Sequence, residues 1–195
     1  WTLQELQAVF AGETDVESGG FTEAQGGIHR VTIDSRLVES GDLFVALAGD
    51  PGERLTPSIR STADGHDYVA DAASKGASAA LVSRPQSAAI PQFQVQDTYE
   101  RLWMLGAAAR RRINGPVIAV TGSSGKTTAK TFLSAALGAY APPGSLNNHI
   151  GVPLSLANAS RQAPAWEFEI GTSHRGEIAP LTKMVQPDLA ILLNV

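Results

Sequence analysis

Cysteine is absent from the 195 residues, which excludes disulfides and thiolate chemistry and leaves only histidine and carboxylates to build a zinc site. No apolar run approaches the ~18 residues that a membrane span needs. The opening Trp1-Thr-Leu-Gln-Glu-Leu6 lacks the basic start and apolar centre of a signal peptide. Cytoplasm is the expected location. Positive charge is also scarce: 15 Lys and Arg face 19 Asp and Glu, for a net charge of −4. The one basic run, Arg110-Arg-Arg112, closes a helical stretch just before Asn114-Gly-Pro116. A helix dipole favours cations there, so the run reads as a solvated helix end and no nucleic-acid partner is expected. No internal repeat is visible. The chain opens without methionine and stops at Asn194-Val195, straight after an apolar run. A core strand seldom ends a protein, so the sequence reads as a piece.

What is present is a globular composition, with 43% hydrophobic and 17% charged residues and length enough for one large or two small domains. Leu3, Leu6, Val9 and Phe10 share one helical face. Strand-like runs follow at Gly27–Ile33, Asp42–Leu47 and Ala77–Val82, with a helix over Tyr68–Lys75. Gly49 to Asp64, rich in Pro, Gly, Ser and Thr, reads as an exposed loop. A boundary is expected near Arg84-Pro85, followed by Phe93-Gln-Val95 and a helix that Asp97 caps. Beyond Pro116 strands at 117–120, 166–170 and 188–193 alternate with helices at 126–138 and 176–186. That rhythm predicts a parallel sheet with ligands at the carboxyl ends of its strands. The expected class is α/β, with one small unit over 1–85 and a second, incomplete, parallel-sheet unit over 86–195.

The most informative stretch is Val117-Ile-Ala-Val-Thr-Gly-Ser-Ser-Gly-Lys-Thr-Thr128. A buried strand breaks at Gly122-Ser-Ser-Gly125 and enters a helix at Lys126, with Phe132, Leu133 and Ala136 expected on its apolar side. Strand, glycine-rich turn and helix cradle a phosphate. Turn N–H groups and the helix N-terminus point at negative charge, and lysine adds a full positive charge. Thr127 stands where such loops place a hydroxyl on Mg²⁺. The longer form of the pattern wants glycine where Val120 stands, so this is the shorter Gly-x-x-Gly-Lys-Thr form; an ordinary strand-to-helix turn is the alternative.

Two further stretches carry polar groups in unusual places. In Trp166-Glu-Phe-Glu-Ile-Gly-Thr-Ser-His174, Glu169 falls near the end of an apolar strand, where charge is costly without a partner. A metal–nucleotide site beside the phosphate loop would supply one; equally, Glu167 and Glu169 could share the solvent side of an edge strand. His174 taken alone reads as a surface loop residue. In Pro143-Gly-Ser-Leu-Asn-Asn-His-Ile-Gly-Val-Pro153, Asn147 and Asn148 offer many hydrogen-bond groups. Turn chemistry accounts for them equally well.

Taken together, Thr121–Thr128, Gly144–Pro153 and Glu169–Ile178 resemble the Mur ligases, and the Leu146-Asn-Asn-x-Ile-Gly-Val-Pro153 stretch resembles the dipeptide-adding member of that family. Asp34-Ser-Arg36, Gly41-Asp-Leu-Phe-Val-Ala46 and Asp64-Gly-His66 resemble its N-terminal substrate domain, so the likeness covers nearly the whole chain in the family's order. It implies an ATP-binding domain over 86–195 behind a UDP-MurNAc-peptide-binding domain over 1–85. Lys126 would contact the β- and γ-phosphates within a cradle of Gly122, Ser123, Ser124, Gly125, Lys126, Thr127 and Thr128. Thr127 and Glu169 would bind Mg²⁺. Asn147 and Asn148 would sit beside the acceptor end of the sugar peptide, with His174 nearby. Ser35, Arg36, Asp64, Gly65 and His66 would line the UDP-sugar pocket.

The activity implied is ATP-dependent ligation of D-Ala-D-Ala to UDP-N-acetylmuramoyl-tripeptide through an acyl phosphate, by a monomer with ATP and Mg²⁺ as cofactors. Two departures qualify it. Residues 50 to about 63 look like an insertion relative to the family, and several of its features are not in the sequence: a downstream metal-binding histidine, a carbamylated lysine and a C-terminal domain. Binding without efficient ligation is therefore expected of these residues alone. The rival readings are a sister Mur or folylpolyglutamate-type ligase, a non-catalytic UDP-sugar or nucleotide-binding module, and a plain P-loop kinase or NTPase.

Overall fold

Short apolar runs lay down parallel strands where each strand is followed by a helix or turn that carries the chain back along the sheet. A computed structural model describes residues 1–10, 26–49, 63–171 and 175–194. His174 and residues 50–62 of the expected insertion lie outside them. Two compact units result, Trp1–Leu102 and Trp103–Val195.

In the first unit, α1 (Leu3–Phe10) buries Leu6, Val9 and Phe10, as its periodicity predicts. Strands β1 (Arg30–Thr32), β2 (Asp42–Val45), β3 (Ala79–Val82) and β4 (Gln92–Gln94) form one parallel sheet in chain order. The register sets Phe44 beside Ala80, and Val45 beside Leu81, itself beside Phe93. The Phe44, Ala46, Ala80 and Val82 face packs on α2 (Val69–Ser74) through Val69 and Ala72. Phe93, in register with Leu81 on the other face, meets Phe10 with ring centroids 5.4 Å apart, so helices cover both sides. The expected boundary after residue 85 is corrected: β4 lies beyond it, yet its backbone hydrogen bonds complete the first sheet. Helix α3 (Thr98–Arg110) opens against this sheet, where the Thr98 hydroxyl donates to the Ala46 carbonyl at 2.9 Å.

In the second unit β5 (Val117–Thr121) lies between β6 (Trp166–Glu169) and β7 (Leu189–Leu192), all parallel. Helices α4 (Lys126–Leu137), α5 (Gly151–Ala157) and α6 (Ile178–Val185) pack around this sheet. Two readings are corrected. Phe132 is 71% exposed and Ala136 is exposed too, with Leu133 half-buried; the residue α4 buries is Lys130. The second half of the 143–153 stretch is not a loop: Gly151 opens α5, every residue of which is buried. Arg110 is also more than a solvated helix end. Its guanidinium donates to the carbonyls of Val185 at 2.5 Å and Gln186 at 2.8 Å, meeting the orphan carbonyls that close α6.

Candidate nucleotide and metal site

Each unit carries polar residues singled out from sequence. The phosphate loop leaves β5 at Thr121 and enters α4 at Lys126. Gly122 (φ 143°) and Gly125 (φ 82°) hold backbone angles that a side chain disfavours. A Cβ on Gly125 would meet only Leu193 Cδ1, at 3.6 Å, so conformation and not space selects glycine there. No side chain caps the start of α4, so its N–H groups stay available to an anion. The Lys126 ammonium folds back onto the Gly122 carbonyl at 2.6 Å.

Asn194 holds the loop in shape. Its side-chain oxygen accepts from the Ser123 hydroxyl and the Ser124 N–H, each at 3.0 Å, and its amide donates to Ser124 Oγ at 2.9 Å. Its backbone carbonyl accepts from Ser123 N. Sequence reasoning missed Asn194, because a residue 70 positions away from Ser124 carries no local signal.

Register places Glu169 beside Val120, next to the last residue of β5, so both strand ends open toward the loop. Glu167 and Glu169 share one face of β6, but it is not a solvent face: they are 0% and 4% exposed. That excludes the solvent-facing alternative, although β6 lies at one edge of the described sheet. None of their four oxygens accepts a hydrogen bond from the described residues. Lys130 faces them, with Nζ 3.2 Å from Glu169 Oε1. Burial pushes the Glu167 carboxyl up to about 7, against the pull of Lys130 and with the added repulsion of Glu169. Lys130 is the second residue that the sequence did not reveal. It lies off the face that periodicity assigned to apolar residues, whose Phe132 and Ala136 are exposed.

The donor set suits Mg²⁺: a carboxylate with unused oxygens and the Thr127 hydroxyl are hard oxygen ligands. Mg²⁺ takes one or two carboxylates, with waters and phosphate oxygens completing the octahedron.

The polar loop ahead of α5 has mixed duties. Asn148 Oδ1 accepts from Ile150 N at 3.1 Å and Gly151 N at 2.8 Å, so its carbonyl opens α5 while its amide stays available. Asn147 accepts the Gly171 N–H on its backbone oxygen at 2.7 Å, which ties it to the chain leaving β6. Ser145 Oγ lies 3.4 Å from Thr127 Oγ1. His149, the histidine of this polar stretch, is buried with Nε2 3.2 Å from Glu177 Oε1.

In the first unit a cleft of about 450 Å³ is lined by Asp34, Ser35, Arg36, Phe44, Leu47, Gly65 and Tyr68 among others. Asp34 accepts from Arg36 N at 3.0 Å and pairs with the Arg36 guanidinium at 2.6 Å; the arginine side chain is otherwise exposed. Asp64 and His66 form a network beside this cleft. Ser83 N donates to His66 Nε2 at 2.9 Å, so the ring's proton sits on Nδ1 and is given to Asp64 Oδ1 at 2.7 Å. Arg84 takes the other Asp64 oxygen at 2.7 Å. Burial works against the Asp64 charge, but the bonds from Arg84 and His66 outweigh it and hold the carboxyl at about 2.

A glycine-bounded helix start and a buried carboxylate at the neighbouring strand end share one parallel sheet, and a separate polar cleft lies on the other. The chain belongs to the Mur ligase family. The family model described as "Mur ligase family, catalytic domain" matches residues 27–121, and "Mur ligase middle domain" matches 120–195. The chain is similar to UDP-N-acetylmuramoyl-tripeptide–D-alanyl-D-alanine ligase from Escherichia coli, with 37% identity over 186 residues that cover 93% of this chain and 39% of the relative. The Bacillus subtilis ligase of the same name is 35% identical, over 86% of this chain and 36% of its own length. A solved Acinetobacter baumannii MurF structure matches all of this chain and 40% of that one, with a TM-score of 0.77 and 37% identity. A Thermotoga maritima MurF structure in complex with ADP matches 86% of this chain and 38% of that one, with a TM-score of 0.67 and 34% identity. The chain thus spans about two fifths of the length of these relatives.

Proposed function

We propose that the protein carrying this chain is an ATP-dependent ligase that joins D-Ala-D-Ala to UDP-N-acetylmuramoyl-tripeptide for peptidoglycan synthesis. The observation that carries the reading is the uncapped, glycine-bounded start of α4 next to Glu169, in a chain similar along most of its length to ligases of that name. The relative solved with ADP supports a nucleotide in this loop. Its substrates put the reaction in the cytoplasm, and the protein is read as a monomer.

The terminal carboxylate of the tripeptide attacks the γ-phosphorus of ATP, giving an acyl phosphate and ADP. The amine of D-Ala-D-Ala then attacks the acyl carbon; phosphate departs, the nitrogen loses a proton, and an amide remains. Turning a carboxylate into an acyl phosphate supplies the leaving group that an amide bond needs. In this reading Gly122, Ser123, Ser124, Gly125 and Thr128 shape the phosphate cradle, and Lys126 swings from the Gly122 carbonyl to the β- and γ-oxygens, offsetting charge as it shifts. Thr127 and Glu169 would hold Mg²⁺, which would neutralise phosphate charge when bound. Asn147, the amide of Asn148 and His174 contact the acceptor end of the sugar peptide. Ser35, Arg36 and Gly65 line its UDP-sugar pocket, with Asp64 and His66 stiffening the wall.

The test is phosphate release from ATP by the intact protein with UDP-MurNAc-tripeptide present and D-Ala-D-Ala added or withheld. Release that requires the dipeptide is the expected result. Release indifferent to both substrates would leave a plain NTPase. No release, with the UDP-sugar peptide still bound, would leave a binding module.

A further inference from the structure

Lys130 is a buried ammonium with no place in the roles assigned so far. Its side chain is 10% exposed, and burying a cation is expensive unless the site returns specific bonds. An apolar residue would fill the same helix position at less cost. What Lys130 makes there is a junction. Its Nζ donates to the Pro142 carbonyl at 2.9 Å and to the Gly144 carbonyl, and it stands 3.2 Å from Glu169 Oε1. One side chain of α4 thereby ties the loop that leads into Ser145, Asn147 and Asn148 to the end of β6.

Two contacts flank the junction. Thr127 Oγ1 and Ser145 Oγ lie 3.4 Å apart, and Gly171 N donates to Asn147 O. A Cβ on Gly171 would fall 2.8 Å from Asn147 Cγ, so loop and strand end are pressed together. Neither Glu169 oxygen accepts a hydrogen bond from the described residues; Oε1 is paired with Lys130, which leaves Oε2 for a cation.

We propose that Lys130 is a positioning residue. By holding Glu169 and the 142–148 loop in one arrangement, it sets the geometry of both the divalent-cation ligand and the sugar-peptide contact. The inference rests on the ligase reading above for what those two groups bind. Residues behind a metal ligand typically change metal affinity 10–100-fold when removed.

The experiment uses Mn²⁺ as probe, titrated by electron paramagnetic resonance into the intact protein with ADP present. Four forms are compared: wild type, Glu167→Gln, Lys130→Met, and Lys130→Met with Glu167→Gln. The measurements are made at about pH 8, above the value of about 7 to which burial lifts Glu167, so the double variant removes one positive and one negative buried charge and leaves the net charge of the cluster nearly unchanged while the junction is lost. Circular dichroism and thermal midpoint establish folding. The expected result is a folded double variant whose Mn²⁺ affinity falls about tenfold or more, whose KM for the UDP-sugar peptide rises with it, and whose metal-free ADP affinity stays within about twofold. Glu167→Gln alone should bind Mn²⁺ like wild type. An unchanged Mn²⁺ affinity in a folded double variant overturns the proposal, as does an equal loss in Glu167→Gln alone. Failure of both Lys130 variants to fold overturns it too, by making Lys130 structural. If wild type binds neither ADP nor Mn²⁺, the ligase reading itself fails, and that outcome is distinct from the others.

Discussion

At the scale of single residues, charge is placed where partners await it. Asp64 accepts from Arg84, from the His66 ring and from the His66 N–H, and its carboxyl is held at about 2 against an ordinary 3.8. A carboxyl depressed in the folded state adds stability that is complete above its unfolded value and is lost as pH falls through the folded one. The thermal midpoint should therefore decline between about pH 4 and pH 2. Asp64→Asn should flatten that part of the profile, and a mutant profile still as steep as wild type would remove Asp64 as its cause. Legibility at this scale was uneven. The Asp64-Gly-His66 motif was visible, but its partners Ser83 and Arg84 were not, since they arrive on the end of β3, 17 to 20 residues later.

At the scale of elements, hydrogen bonding at helix starts separates structural from binding roles. Asn148 accepts two N–H groups at the head of α5 through its carbonyl oxygen alone. Asn148→Ala should cost about 1 kcal/mol of stability by urea unfolding, the usual worth of such a cap. Asn148→Asp keeps the acceptor and loses the amide. It should recover most of that stability while its KM for the UDP-sugar peptide remains raised; recovery of both would confine Asn148 to the cap. Helix α1 was legible because its apolar period marks one buried face, and β5 because its unbroken apolar run, Val117–Val120, is buried throughout. Helix α5 was not. Gly151, Pro153 and Ser155 hide its helical character, and burial on all sides leaves no amphipathic stripe to read.

At the scale of the whole molecule, the proposed ligand sites fall in separate units: the glycine-rich loop in Trp103–Val195, the polar cleft in Trp1–Leu102. Ligand that binds only the folded state stabilises it by about 2.7 kcal/mol at a hundred times its Kd. Under hydrogen exchange, ADP should protect 117–138 most strongly and UDP-sugar peptide 31–47 and 64–84. Lys126→Ala should abolish the ADP pattern and leave the other intact. Equal protection of both units by ADP would contradict the assignment of the nucleotide to the α4 loop.

The sequence by itself determined the α/β class, the parallel sheet beyond Pro116, the glycine-rich loop at a helix start and the candidacy of Glu169. These depend on short-range pattern: apolar runs that fit strands, glycines that fit a turn, a lysine at a helix start. Only the tertiary structure decided what surrounds them. Asn194 reaches the loop from the far end of β7, Lys130 turns inward to Glu169, β4 joins the first sheet, and Arg110 closes α6. Each of these is a polar or backbone contact between residues distant in sequence or between separate elements. Its energy depends on distance and burial in the folded chain, quantities that no local pattern of residue types encodes.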